Sequence, residues 1–374
     1  MIVKVSSNAV RNAVPALSKV SGSFKVNSIA QYVLASATGN GVVTLRAIGA
    51  DCYAFVDLEC ETIEEGDGLI PVLPLSAIMS SRKTGTLSIE AGDDRKTKLE
   101  LEDTKISAQV PSAKEFPELK GDVQEIGTVD AAQLYDALRM AATISAKDFD
   151  RYGVRLEKSQ NGVLSVVATD GRCMVARNIP ITDWKIENTS YTVPSAVYGM
   201  AMECKWSGNV TLCDYQGALM FRGEMGEVAI AHRELATSFP KWRGVLSRIV
   251  SARENAAIVE CDQASLKELM RIASLLVDRE TERMRLDAEN GKLHIELSNA
   301  DGVTTEMVNE FSGSGKGRVF LGAKLLATFV KTLDKDASVT LAISGEDTAF
   351  SIYDAEKKEE GWVYIQMPLA VNKS

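Results

Sequence analysis

The chain has 374 residues, 45% of them hydrophobic and 25% charged, with 42 basic and 51 acidic side chains. That length accommodates two or three domains, and a net charge of −9 argues against a surface coated all over for nucleic acid. No apolar run approaches the roughly 20 residues that cross a bilayer, and the opening MIVKVSSNAVRN lacks the apolar core of a secretory signal, so a cytoplasmic protein without a membrane partner is expected.

A helical pattern covers Ser7–Lys19, with Pro15 inside it predicting a kink or a broken start. Residues 31–48, QYVLASATGNGVVTLRAI, alternate as a β-hairpin around Asn40-Gly41, a pair favoured where both central turn residues take φ > 0. A turn with an acid follows (IGAD, Asp51), then a strand, a second helical pattern from Leu73, the strand GTLSIEA and a closing phrase, EFPEL, with Pro117.

The same order then recurs. A helical pattern at Asp130–Ala142 sets Ala132, Leu134, Leu138 and Ala141 on one face. It leads to a hairpin at 152–168 turning at Asn161, the turn ATDG with Asp170, a helix from Val193, the strand GNVTLCDY and SFPKW with Pro240. The third copy has a helix at Gln263–Leu276, a hairpin at 284–297 turning at Asn290 and SNAD with Asp301. A helix from Leu321, the strand ASVTLAIS and QMPLA with Pro368 complete it. Asp130 and Asp262 suit helix N-caps. The hairpin turns are spaced by 121 and 129 residues and the closing prolines by 123 and 128, so independent markers agree on one repeated unit. Boundaries fall near Lys120–Gly127 and Ser247–Ala256, dividing the chain into domains at 1–124, 125–250 and 251–374. Each domain is expected to be α+β, two helices packed on about eight short antiparallel strands.

Asp170-Gly171-Arg172-Cys173 is the first stretch that could do chemistry, but sister turns hold Asp51 and Asp301 in the same slot, and an Asx turn explains an aspartate there. Neither His232 nor His294 belongs to a nucleophile–base grouping, and G-x-x-x-x-G-K-[ST] is absent, so no enzyme is expected. GSGKG at Gly313–Gly317 lies between two strand patterns and reads as a turn. The six cysteines form no C-x-x-C pair, which disfavours zinc and predicts buried free thiols; no cofactor and no metal are expected.

RYGVRLEKSQNGVLSVVATDGRCMVARNIPI at 151–181, VPSAKEFPEL, TSFPKWRGVL and VYIQMPLAV, in this order and spacing, resemble the bacterial DNA sliding clamp, the β subunit of the replicative DNA polymerase. The resemblance covers the whole chain. It implies three copies of one α+β domain, two chains joined head to tail in a homodimeric ring, helices lining the hole and double-stranded DNA passing through it. It also implies a pocket between the second and third domains that takes short linear motifs of the polymerase, the clamp loader and other replication proteins. By position the pocket would use Thr169, Gly171, Arg172, Cys173 and Met174, with Pro240 and Val245 as a second wall and Ile365, Met367, Pro368 and Leu369 as a third. Gly171 would be needed for close backbone approach, and Met174 and Met367 would line the floor. This sequence departs from the family's common His-Arg-Leu at Arg172-Cys173-Met174, has Gly244 where Arg is frequent, and extends through Asn372-Lys373-Ser374.

A ring around DNA calls for helices more basic than the rest. The six helical windows hold eleven basic and five acidic residues, against 31 and 46 elsewhere. The resemblance makes Lys25, Arg82, Lys83, Lys147, Arg151, Tyr152, Lys205 and Arg271 DNA-facing, although Ser195-Ala196 stand where a basic pair is frequent. The ring seam would use Ile106 of one chain and Leu275 and Leu276 of the other. The alternative is a clamp-like peptide-binding scaffold that encircles no DNA.

Overall fold

Apolar periodicity of 3.6 and of 2 alternates along this chain, and the backbone follows it. A computed structural model describes residues 1–21, 28–81, 84–92, 95–117, 122–145, 153–159, 162–182, 184–236, 238–298 and 304–370. Seven α-helices occur among the described residues: α1 (Ser7–Ser21), α2 (Val72–Ser80), α3 (Ala131–Ser145), α4 (Val197–Cys204), α5 (Trp242–Ala252), α6 (Gln263–Leu276) and α7 (Ala323–Val330). Asp130 caps α3 by accepting from Gln133 N–H at 2.9 Å, and Asp262 caps α6 by accepting from Ser265 N–H at 2.8 Å.

Two compact units emerge, one of residues 1–135, 181–189 and 196–234, the other of 136–180, 190–195 and 235–374. Neither coincides with a third of the sequence, because the middle third contributes strands to both.

The first unit is built on twelve hydrogen-bonded strands. From the edge strand Thr104–Gln109 they run through Lys96–Leu101, Thr86–Ala91 and Ile2–Ser6 to the long strand Cys52–Glu64, then Ala229–Arg233, Ala218–Arg222, Asn209–Tyr215 and Val123–Asp130. Val10, Ala13, Val14, Leu17 and Val20 form the buried stripe of α1, which packs on α2, on α4 and on Cys52–Glu64.

The second unit has a nine-stranded sheet whose central pair is Cys173–Pro180 with Lys358–Gln366, and a four-stranded sheet ordered Thr304–Glu310, Lys292–Ser298, Arg283–Glu289, Lys316–Gly322. Helices α6 and α7 pack together, and Phe329 of α7 stacks on Tyr364 with ring centroids 4.4 Å apart.

Four expectations need correction. Helix α1 runs unbroken through Pro15, because its buried stripe holds the turn that the proline's missing N–H weakens. A helix that the sequence reading lacks, α5, ends in the boundary stretch Ser247–Ala256, with the short 3-10 turn Arg253–Asn255 after it. In the first hairpin, the positive φ values belong to Gly39 (74°) and Gly41 (77°), not to Asn40, because the loop is two residues longer than a tight turn. Asn290 (49°) and Gly291 (83°) do form the expected pair. Four cysteines are buried, but Cys60 and Cys261 are half-buried; all six are unbridged. Asn161 and Asp301 lie outside the described residues.

Within GSGKG only Gly315, at φ 76°, turns between the strands Ser312–Ser314 and Lys316–Gly322; the residues on either side of it belong to those strands. Gly313 and Gly317 are fixed by packing: a Cβ on either would collide with the carbonyl oxygen of Ile258 or of Ile343.

Candidate peptide-docking site

The turn at 169–173 is closed by its own side chains. Asp170 Oδ1 accepts from the N–H of Arg172 at 2.8 Å and of Cys173 at 2.6 Å. Thr169 Oγ1 donates to the carbonyl of Cys173 at 2.7 Å and accepts from Gly171 N–H at 3.1 Å. The carboxylate is thus occupied as an Asx-turn acceptor. Gly171 has φ 88°, and a Cβ there would meet none of the chain's own atoms within 4 Å, so within the chain it is the left-handed backbone that requires glycine.

From this turn the chain enters the strand Cys173–Pro180, which pairs antiparallel with Lys358–Gln366 so that Met174 faces Ile365 and Cys173 faces Gln366. Alternation along the strand separates the two neighbours. Met174 and Ile365 are buried with Val167, Trp242 and Ile249, and Val245 and Phe239 pack against them. Cys173 lies on the opposite face, its Sγ 3.4 Å from Tyr364 Oη, which donates to Gln366 Oε1 at 2.9 Å. Burial pushes the Cys173 thiol up to about 12, with Asp170 adding to the effect, so it stays protonated and unreactive.

Met367 continues the ladder beyond the strand, donating its N–H to the Arg172 carbonyl at 2.8 Å, and Leu369 N–H donates to the Phe320 carbonyl at 2.8 Å. Met367 is 46% exposed. Gly171 and Arg172 are exposed, while Pro240, Val245, Pro368 and Leu369 are half-buried. The second unit therefore brings Met174, Val245 and Ile365 together in one buried cluster and ties Arg172 to Met367 through the backbone. Thr169 is occupied within the turn, and Cys173 turns away.

Sequence reasoning missed α5 and its anchor. Trp242 is 4% exposed and donates from Nε1 to Glu157 at 3.3 Å. Glu157 also accepts from Arg243 at 2.8 Å and from Arg155 at 2.9 Å. Burial would raise its pKa, but the hydrogen bonds from Arg155, Arg243 and Trp242 outweigh that and hold it below the ordinary carboxylate range. The readable signal was Trp242, Val245 and Ile249 at helical spacing directly after Pro240.

Of the basic positions, Lys25, Arg82, Lys83, Lys147, Arg151 and Tyr152 lie outside the described residues. Lys205 is the exposed C-cap of α4, at φ 52°. Arg271 is exposed on α6 and paired with Glu268 at 2.7 Å. Lys19 faces Glu203 at 4.0 Å, and Lys324 pairs with Glu282 at 2.7 Å. Ile106 is half-buried on the edge strand Thr104–Gln109, and Leu275 and Leu276 at the end of α6 are 70% and 45% exposed. Among the described residues no group of three His, Cys, Asp or Glu could hold a metal ion, and no helix is long and apolar enough to cross a membrane.

No family model and no curated protein matches the sequence. Solved structures do. The DNA polymerase III subunit beta of Pseudomonas aeruginosa aligns over 99% of this chain and 100% of its own at 18% identity, with a TM-score of 0.85. A Pseudomonas aeruginosa DnaN sliding clamp bound to griselimycin aligns over the same shares at 17% identity, with a TM-score of 0.86. The pol III beta of Caulobacter crescentus, at 18% identity, has a TM-score of 0.84 with equal coverage. The chain has the fold of these sliding clamps along its whole length, with a divergent sequence.

Proposed function

We propose that the chain is a DNA sliding clamp, a non-catalytic processivity factor. Two copies close head to tail around duplex DNA and tether the replicative polymerase and other partners through the surface at Met174, Val245 and Met367. The observation that carries this reading is the full-length fold match, with 99% of this chain and 100% of the compared chain aligned. The three-domain division at 1–124, 125–250 and 251–374 belongs to the same reading, as does a cytoplasmic location. Support for the seam comes from Leu275 and Leu276, large apolar side chains left in solvent at a helix end. A loose, phosphate-directed grip on DNA fits helices that carry lysine and arginine and no base-reading element.

One observation favours the scaffold alternative: several helix cations already have carboxylate partners, as in Arg271–Glu268. Solvent screening leaves exposed pairs of this kind weak, so phosphates can compete for them.

The test is retention. After loading by a bacterial clamp loader onto nicked circular plasmid, the protein should co-elute with the plasmid and be released when the plasmid is linearised. Equal retention on circular and linear DNA, or none on either, would leave the scaffold. In solution the mass should be twice 40.5 kDa.

A further inference from the structure

We infer that Leu73 anchors the first unit's side of the ring seam, packing against Leu275 and Leu276 of the partner subunit. This role rests on the head-to-tail reading above, and adds to it a contact residue and a reason for the chain to select its own copy.

Leu73 is 83% exposed, more than any other large apolar side chain among the described residues. One exposed leucine needs no explanation; its place beside an open sheet edge does. It stands in the first turn of α2, whose Leu75, Ile78 and Met79 are buried. The strand leading into α2, Gly66–Pro71, crosses the sheet toward that edge. Gly68 lies so close to Ala91 of the strand Thr86–Ala91 that a Cβ would collide with it. The Leu69 carbonyl accepts from Thr97 Oγ1 of the next strand, Lys96–Leu101. One strand further is the edge, Thr104–Gln109, and α2 packs on both of these outer strands. Ile106 pairs with Leu99, which is 1% exposed, so it shares the sheet face that α2 covers. Leu73 and Ile106 thus carry one apolar layer out to the edge, where Leu73 is left in solvent and Ile106 is half-buried.

The second unit has an edge built the same way. Thr304–Glu310 pairs only with Lys292–Ser298 and, like Thr104–Gln109, has no buried residue. Helix α6 ends beside it: Asp278 and Thr281, just past the helix, share a cavity with Ser298, the partner of Thr304. An uncovered edge is a template for another strand, and charge decides which one. The two outermost strands of the first edge carry Lys96, Lys98 and Lys105 against Glu100, with Glu102 and Asp103 in the turn at one end. Those of the second carry Glu296, Glu306 and Glu310 against Lys292. Like edges therefore repel and unlike edges attract. A second copy of this chain supplies the unlike edge, and joining the edges brings the helix layers together, Leu73 of one copy against the end of α6 of the other.

Sedimentation velocity of the full chain over a dilution series gives the dimer dissociation constant. Leu73→Ala should raise it about tenfold, the loss of one buried leucine contact. Leu73→Glu should give monomers at concentrations where wild type is dimeric. Far-UV circular dichroism should show the fold retained in both, since Leu73 lies in solvent within one chain. Ile63→Glu puts the same charge on another exposed apolar residue, on the inner strand Cys52–Glu64, and should leave the dimer intact. The effect of Leu73→Ala should shrink when Leu275→Ala or Leu276→Ala is already present, as for residues in contact. If Leu73→Glu sediments like wild type while Leu275→Ala with Leu276→Ala gives monomers, the seam stands and the role of Leu73 is overturned. Full additivity with both leucines overturns it too. A wild type that stays monomeric at every concentration removes the head-to-tail reading and the role of Leu73 with it.

Discussion

Met367 N–H and the Arg172 carbonyl, 2.8 Å apart, fasten the chain's last stretch to the turn at 169–173. One side of that bond presents an exposed thioether, and the other presents the Asx turn held by Asp170. Residues nearly 200 positions apart are thereby placed as one surface over the buried pair Met174–Ile365.

If that surface docks partner peptides, Met174→Ala should weaken a labelled polymerase tail peptide ten- to hundred-fold, the loss of one buried anchor contact. Its fold stability should fall by about 2–4 kcal/mol, because a buried methionine leaves a cavity. Deleting 367–374 should abolish binding while sedimentation still shows a dimer, and deleting only 372–374 should change little. Anisotropy showing equal affinity for wild type, Met174→Ala and the long deletion would remove the docking assignment.

Asp170 is expected to act through geometry alone. Asp170→Asn keeps an oxygen for the two N–H groups and should match wild type in peptide affinity and within ~0.5 kcal/mol in stability. Asp170→Ala orphans both donors and should cost about 1–3 kcal/mol. Urea melts of the three proteins decide this. A large loss in Asp170→Asn would point to a role for the negative charge.

Leu275→Ala with Leu276→Ala should convert dimers to monomers in sedimentation while far-UV circular dichroism shows the fold retained, since both side chains lie in solvent within one chain. A stable dimer in the double variant would move the seam elsewhere. Separately, Lys205→Ala and Arg271→Ala should each lower the salt slope of DNA retention by roughly one unit, without altering sequence preference.

His232 sets a pH limit. Burial drives its pKa from 6.5 down to about 4, and Nε2 has no partner. Between those values the unfolded chain binds a proton that the folded chain refuses. The contribution is complete above pH 6.5 and is lost as pH falls toward 4, by about 3 kcal/mol. Urea midpoints followed across this range should show a flatter dependence in His232→Gln. Parallel curves would assign the acid sensitivity to other groups.

Much of this architecture was legible because local signals agreed with one another. The hairpin at 283–298 announces itself through alternation and Asn290-Gly291, and α6 through Asp262 and its apolar stripe. Helix α5 was hidden because Pro240 marks a stop in a repeat but can equally precede a start, and the polar Ser247–Ala256 resembles a linker. The facing of Cys173 was hidden for a different reason. Neighbours in a strand point to opposite faces, and only the register with Lys358–Gln366 determines which one meets Trp242. The engagement of Arg271 with Glu268 was readable from their spacing of three, whereas that of Glu157 with Arg243 spans 86 residues and needed the fold.

The long strand Cys52–Glu64 borrows neighbours from distant parts of the chain. Its far end pairs with Ile2–Ser6, but its opening residues, Cys52–Phe55, pair on one side with Ala229–Arg233. During synthesis the first 125 residues emerge well before that partner exists. The nascent chain must then carry an open ladder edge bearing Tyr53 and Phe55 until more than 100 further residues have been translated. A ribosome pause or a premature stop in this interval would release a fragment with a ready template for misassembly, so escort of the growing chain over this window should govern its yield.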